Sequence, residues 1–169
     1  VYGDHVDFVW RNAIRLGVAE AAADDVAQQV FLVVHRRLSE FEGRSSVKTW
    51  ILSILLRVVR EYQRGVRRKT PHWLHDPVDP DLVPDTADDP HEALTRAEAA
   101  RVIDELLDSL DQDKRVVFVL AELEQMTARE ISEATGLTPR AVYSRLRAAR
   151  TDFERAAARV RRRALRGTQ

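Results

Sequence analysis

Along the first seventy residues, apolar side chains recur at helical spacing. Tyr2, Val6, Val9, Ala13 and Leu16 repeat every three or four positions until Gly17 marks a stop, which predicts a short first helix. A second run, Val26, Val30, Val33 or Val34, and Leu38, is predicted to start behind Asp24 and Asp25, whose charges suit the exposed N–H groups of a helix N-terminus, and to end near Phe41-Glu42-Gly43. A third run places Trp50, Ile54 and Val58 beside Ile51, Leu55 and Tyr62. It leaves Arg57, Arg60 and Arg64 on the opposite side, and GVRRKTP closes it. Residues 1–70 therefore read as a three-helix bundle with one basic face.

The pattern then lapses. The stretch PHWLHDPVDPDLVPDTADDP holds five prolines and six aspartates, so residues 71–91 read as an extended acidic linker between two domains. A calcium loop would need a central Gly and a terminal Glu that are missing here. His72 and His75 have ligand-like spacing but no evident third partner, so no metal is expected. Two bundles on such a linker are expected to sample many relative orientations.

Helical periodicity returns over 92–169. Ala99, Val102, Ile103, Leu106, Leu107 and Leu110 form one stripe, and Asp111 can cap a following helix that holds Val116, Val117, Phe118, Leu120 and Leu123. Thr127-x-x-Glu130 is a capping box that starts a short helix through Thr135. Gly136 supplies a turn position with positive φ, and Thr138-Pro139 sets an N-cap and first residue for the last helix. Helix, tight turn and longer helix together make a helix-turn-helix.

In that last helix Val142, Leu146, Ala149 and Phe153 share one side, which must be core. Arg140, Ser144, Arg147 and Thr151 share the other, with Tyr143 on the flank. From Thr138 to Arg150 there are four arginines and no acid, whereas a merely solvated helix usually mixes signs. Arginine can bind phosphate or fork onto guanine, so this face suits a major groove; contact with a protein is the other reading.

Charge placement strengthens the nucleic-acid reading. Net charge is zero, yet residues 1–70 carry 12 basic against 8 acidic side chains, residues 71–100 carry 1 against 8, and residues 101–169 carry 14 against 11. The tail from Arg155 to Arg166 adds six arginines without an acid, and reads either as a backbone clamp or as a frayed basic end. With no cysteine, disulfide frameworks and cysteine chemistry are excluded and a reducing, cytoplasmic setting is expected. No apolar run is long enough to span a bilayer, so no membrane insertion is expected. The first stretch is charged and amphipathic, unlike a signal peptide, and a start at Val1 predicts trimming of an initiator Met.

ADDVAQQVF, FEGRSSVKTWILSI and EISEATGLTPRAVYSRLRAAR, in this order and spacing, resemble three motifs of the bacterial RNA polymerase sigma factors of the extracytoplasmic-function (ECF) group, in the sigma-70 family. The resemblance spans nearly the whole chain. It implies an all-α protein of two small helical bundles joined by an acidic linker, the second with the helix-turn-helix, acting in transcription initiation and its regulation.

By that resemblance, Asp25, Gln28, Gln29 and Phe31 match the helix that docks on the clamp helices of the largest subunit of core RNA polymerase, with Gln29 where an acid is common and His35 where Trp is frequent. Gly43 to Lys48 match the loop that captures a base flipped from the non-template strand. Arg44, Ser45, Ser46 and Lys48, with Arg57, Arg60 and Arg64, are the implied minus-10 contacts; the basic cluster that runs from Arg57 on through Arg67, Arg68 and Lys69 fits phosphate contacts along promoter DNA, or else a solvated basic face. Arg57 replaces a frequent Asn. Trp50 is open to two roles, core or a stacking platform for a base. Thr138, Arg140, Tyr143, Ser144 and Arg147 are the implied minus-35 contacts. The resemblance further implies promoter DNA and an anti-sigma factor as partners, and a linker whose negative charge runs through the polymerase's nucleic-acid channels.

A stand-alone helix-turn-helix regulator is the alternative, but it has no need of ADDVAQQVF or the GRSSVKTW loop. An enzyme would need catalytic groups, and no phosphate-cradling Gly loop, paired His ligands or Ser nucleophile elbow occurs. No catalytic residue, cofactor or metal ligand is assigned.

Overall fold

A computed structural model describes residues 2–69 and 90–167. The stretch 70–89, with His72 and His75, lies outside the described residues, as do Val1 and residues 168–169. Every regular element among the described residues is helical.

The first bundle contains α1 (Tyr2–Arg15), α2 (Glu20–Arg37), a 3₁₀ turn (Leu38–Glu40) and α3 (Val47–Lys69). Gly17, at φ 95°, ends α1 where a left-handed residue is required. The start of α2 corrects the sequence reading: the helix opens at Glu20, so Asp24 and Asp25 lie inside it. Ala19 offers no side-chain cap, and Glu20 supplies the first-turn charge. Val9, Ala13 and Leu16 of α1, Val26 and Val30 of α2, and Leu52, Leu55 and Val59 of α3 form the core.

The second bundle contains α4 (Pro90–Asp108), α5 (Gln112–Phe118), a π turn (Val119–Leu123), α6 (Ala128–Thr135) and α7 (Pro139–Gly167). Its local signals work as read. The Asp111 side chain accepts from Lys114 N, and Thr127 and Glu130 form a complete capping box. Gly136 caps α6 at φ 76°, and Thr138 Oγ1 accepts from Ala141 N. One interruption was not anticipated. The helix begun by Asp111 widens into the π turn and ends with Gln125 at φ 55°, a left-handed position without glycine.

The expectation of freely reorienting bundles is overturned: α3 packs across α6, and the buried residues of both halves join in one apolar cluster. Polar groups at the end of α1 explain the contact. Arg115 of α5 donates from Nε to Arg15 O (2.6 Å) and from Nη2 to Ile14 O (3.3 Å), while Gln63 of α3 and Gln112 of α5 both donate to Leu16 O. Asn12 O, Ala13 O and Ile14 O also accept from the backbone N–H groups of Leu16, Val18 and Gly17, so it is Arg15 O and Leu16 O, beyond the reach of the helix, that draw on the other bundle most.

Candidate nucleic-acid interface

The helix-turn-helix face is built by α6, the Gly136 turn and α7. Val142 and Ala149 are fully buried and Leu146 nearly so, and Phe153 stacks on Phe118 at 4.5 Å, which fixes the rotation of α7 about its axis. That rotation leaves Thr138, Arg140, Tyr143, Ser144 and Arg147 exposed, with Tyr143 at 64%. The four arginines of this stretch divide in two. Arg145 reaches Asp113 at 3.7 Å and Arg150 reaches Glu122 at 2.6 Å, so both turn back toward the bundle. Arg140 and Arg147 have no acidic partner within ion-pairing distance among the described residues, and they lie about 10 Å apart along the axis at 1.5 Å per residue.

The first bundle presents its basic residues along α3 and the loop before it. Arg57, Arg60 and Arg64 are exposed on one side of α3, opposite buried Leu52, Leu55 and Val59. Arg67, Arg68 and Lys69 continue the helix, with their side chains outside the described set. In the loop, Arg44 pairs with Glu42 and is largely exposed. Ser46, exposed at the start of α3, accepts at its Oγ from Thr49 N (3.1 Å) and bonds Thr49 Oγ1 (2.9 Å), capping the helix, while Ser45 is half-buried. Trp50 is half-buried and tilts against Phe41 with ring centroids 5.0 Å apart, so it anchors the loop to the helix.

Asp25, Gln28 and Gln29 are exposed on α2, whereas Phe31 is half-buried against the core. Leu32, one turn beyond Gln28, is 51% exposed and falls outside the apolar run Val26, Val30, Val33 or Val34 and Leu38 that marks this helix in the sequence. Leu32 thus adds an exposed apolar side chain to the helix face that carries Asp25, Gln28 and Gln29.

Lys48 does not stand alone either. Its Nζ lies 2.8 Å from Glu124 Oε2 and 4.9 Å from the centre of the Phe8 ring. The Glu124 side chain is only 5% exposed, and its other oxygen accepts from Asn12 Nδ2 (3.0 Å) and Arg15 Nη1 (3.2 Å). Burial pushes the Arg15 guanidinium below its ordinary pKa, with repulsion from Arg11 adding to this and Glu124 opposing it. Asp104 of α4 is held above the usual carboxylate range, chiefly by burial. Beside this junction a cleft of about 510 Å³ lies between the bundles, with Arg60, Arg64 and Arg145 among its lining residues and Leu56, Val59, Val116 and Leu137 supplying apolar surface.

No group of three or more His, Cys, Asp or Glu residues suited to a metal ion occurs among the described residues. None of their helices is long and apolar enough to cross a membrane.

Comparison with known proteins places these features in a family. The Sigma-70 region 2 family model matches residues 1–69, and the Sigma-70 region 4 model matches residues 100–153. The chain is 29% identical over 137 residues to the RNA polymerase sigma factor NccH of Alcaligenes xylosoxydans xylosoxydans, covering 79% of this chain and 72% of that one. It is 32% identical over 118 residues to the ECF RNA polymerase sigma factor SigX of Bacillus subtilis, covering 66% of this chain and 58% of the relative. Among solved structures, the sigma factor RpoE in complex with the anti-sigma factor NepR from Bartonella quintana superposes with a TM-score of 0.72 at 17% identity, over 90% of this chain and 91% of that one. CnrH in complex with the cytosolic domain of CnrY gives 0.65 at 23% identity, over 92% and 84%. These last two establish the shared fold. With both region models matched in order and ECF sigma factors among its relatives, the chain belongs to the sigma-70 family of RNA polymerase sigma factors, in the extracytoplasmic-function group.

Proposed function

We propose that this sigma factor contacts the minus-35 element through Arg140, Tyr143, Ser144 and Arg147, with Thr138 at the helix entry, and the minus-10 element through the loop Arg44 to Lys48 and the Arg57, Arg60, Arg64 side of α3. The observation that carries this reading is the division of α7 into a buried apolar side and an exposed side with two arginines unpaired by acids. Such a helix offers the groove forked donors in place of internal ion pairs. Phosphate contacts from α3 supply affinity and register, while the loop before α3 supplies hydrogen-bonding groups for an unstacked base.

Asp25, Gln28, Gln29 and Phe31, now joined by Leu32, are the proposed contacts with the clamp helices of core polymerase. The mode of action is binding without catalysis, in the cytoplasm: duplex opening draws on interaction energy with strand and polymerase. An anti-sigma partner fits the same picture, since the superposed sigma factor RpoE was solved with the anti-sigma factor NepR.

Run-off transcription with core polymerase on promoters selected from a randomised pool tests the assignment. The chain is expected to confer specific initiation, and Arg147→Ala or Ser144→Ala to alter preference only in the upstream element. Altered preference confined to the minus-10 region would overturn the placement of α7. Tight DNA binding by the chain alone, with no effect on core polymerase, would favour the stand-alone regulator.

A further inference from the structure

Three donors of the first bundle, Asn12 Nδ2, Arg15 Nη1 and Lys48 Nζ, converge on the two oxygens of one carboxylate, Glu124, which the second bundle supplies. From this we infer that Asn12, Arg15 and Lys48 form a phosphate-binding site for the promoter backbone, and that Glu124 occupies it as a carboxylate stand-in while the bundles are closed. The inference rests on the proposed minus-10 role of the loop that ends at Lys48.

The site is organised around a buried group. Asn12 is fully buried, and its Nδ2 also donates to Phe8 O at 3.0 Å, so the amide is held with a donor directed at the anion. Lys48 lies in the first turn of α3, and its ammonium is positioned over the Phe8 ring. The acids that offset Arg15 are Glu124 and Asp104, both from the second bundle, whereas its basic neighbour Arg11 belongs to the first. Separating the bundles therefore removes both acids and leaves Arg11, Arg15 and Lys48 around the Asn12 amide donor that Glu124 covers in the closed state. Such a cluster demands an anion, and a phosphodiester beside the Lys48 loop answers both the charge and the donor geometry.

The closed state also carries an internal cost that favours exchange. Asn12 Oδ1 is buried without a hydrogen-bond partner among the described residues. Opening admits water to Asn12 Oδ1, an acceptor that neither a carboxylate nor a phosphate can satisfy, and so offsets part of the loss of the closed contact. DNA at this site and Glu124 at this site exclude each other, so the free chain should bind DNA weakly.

The test uses the full chain and a fluorescent single-stranded oligonucleotide of random sequence, with anisotropy followed across a salt series. Glu124→Gln, which keeps the shape and removes the charge, is expected to raise affinity about tenfold and to steepen the log–log salt dependence by about 0.7, the value for one phosphate on a single strand. Glu124→Ala should act in the same direction, which separates loss of charge from any local repacking. Adding Arg15→Gln to Glu124→Gln should cancel both gains. If Glu124→Gln and Glu124→Ala leave affinity unchanged, or if Arg15→Gln fails to reverse the gain, the phosphate site is overturned. Run-off transcription by the unsubstituted chain separates that failure from failure of the sigma reading, because it does not depend on what fills this site.

Discussion

Arg115→Met removes the guanidinium that α5 contributes to the end of α1 while keeping most of the side-chain volume. Arg115 is buried and makes two bonds across the junction, to Arg15 O at 2.6 Å and Ile14 O at 3.3 Å. Hydrogen bonds to a charged group contribute about 1.5–3 kcal/mol each, and the longer one belongs at or below the lower end. Opening lets water reach the freed carbonyls, which returns part of that sum, so the net loss should be about 2–3 kcal/mol. At 1.4 kcal/mol per tenfold, the closed-to-open ratio should fall roughly 30- to 150-fold. Within its own bundle Arg115 pairs with Asp108, which is largely exposed, and such a pair contributes little. Stability of the second bundle should therefore change far less than closure does. The chain has no cysteine, so dyes attached to Ser39→Cys and Ala158→Cys, both exposed positions, report bundle separation by energy transfer without competing labels. Unchanged transfer in Arg115→Met would refute the reasoning. So would an equal loss in urea stability of the second bundle, since Arg115 would then belong to that bundle's core and not to the junction.

Three other outcomes are expected. Thr127→Ala should destabilise the second bundle by about 1 kcal/mol, measured by urea unfolding, because the side-chain half of the capping box is lost. The Thr127 backbone and side-chain donors hold the Glu130 carboxyl below the usual carboxylate range, so its stabilisation is complete above the unfolded pKa and is lost as pH falls through the lower folded value; Thr127→Ala should shrink that acid-side loss. Gln125→Gly should raise stability by about 0.5–1 kcal/mol, because relief of the left-handed strain exceeds the added chain entropy and the lost bond to Glu122 O; a fall in the urea midpoint would contradict this. Arg140→Ala and Arg147→Ala should each weaken binding to a selected minus-35 duplex by about 1–3 kcal/mol with little change in thermal midpoint, whereas Arg150→Ala, which loses its partner Glu122, should affect binding less; equal effects from all three would indicate a diffuse basic surface.

The features legible in the chain are those whose causes lie within a turn or two. Asp111, Thr127 with Glu130, Gly136 and Thr138-Pro139 cap or stop helices through atoms three or four residues away, so residue type and spacing suffice to place them. The two sides of α7 follow from helical period alone. The start of α2 was misplaced for the same local reason. Asp24-Asp25 is a louder acidic signal than Ala19-Glu20, where the helix actually opens without a side-chain cap.

Sequence by itself determined the helices, most of their caps, the two bundle cores and, through three ordered motifs, the family. Only the tertiary structure decided how the bundles meet. Glu124 lies in ELEQM, which reads as solvated surface, and its partners Asn12 and Arg15 are 112 and 109 residues away. Arg115 reaches α1 across about the same separation. Pairings at that range leave no periodic trace, because each partner is locally compatible with open solvent and becomes a buried contact only when the other bundle arrives. The same holds for Lys48, whose charge looks available for DNA until the fold brings a carboxylate to it.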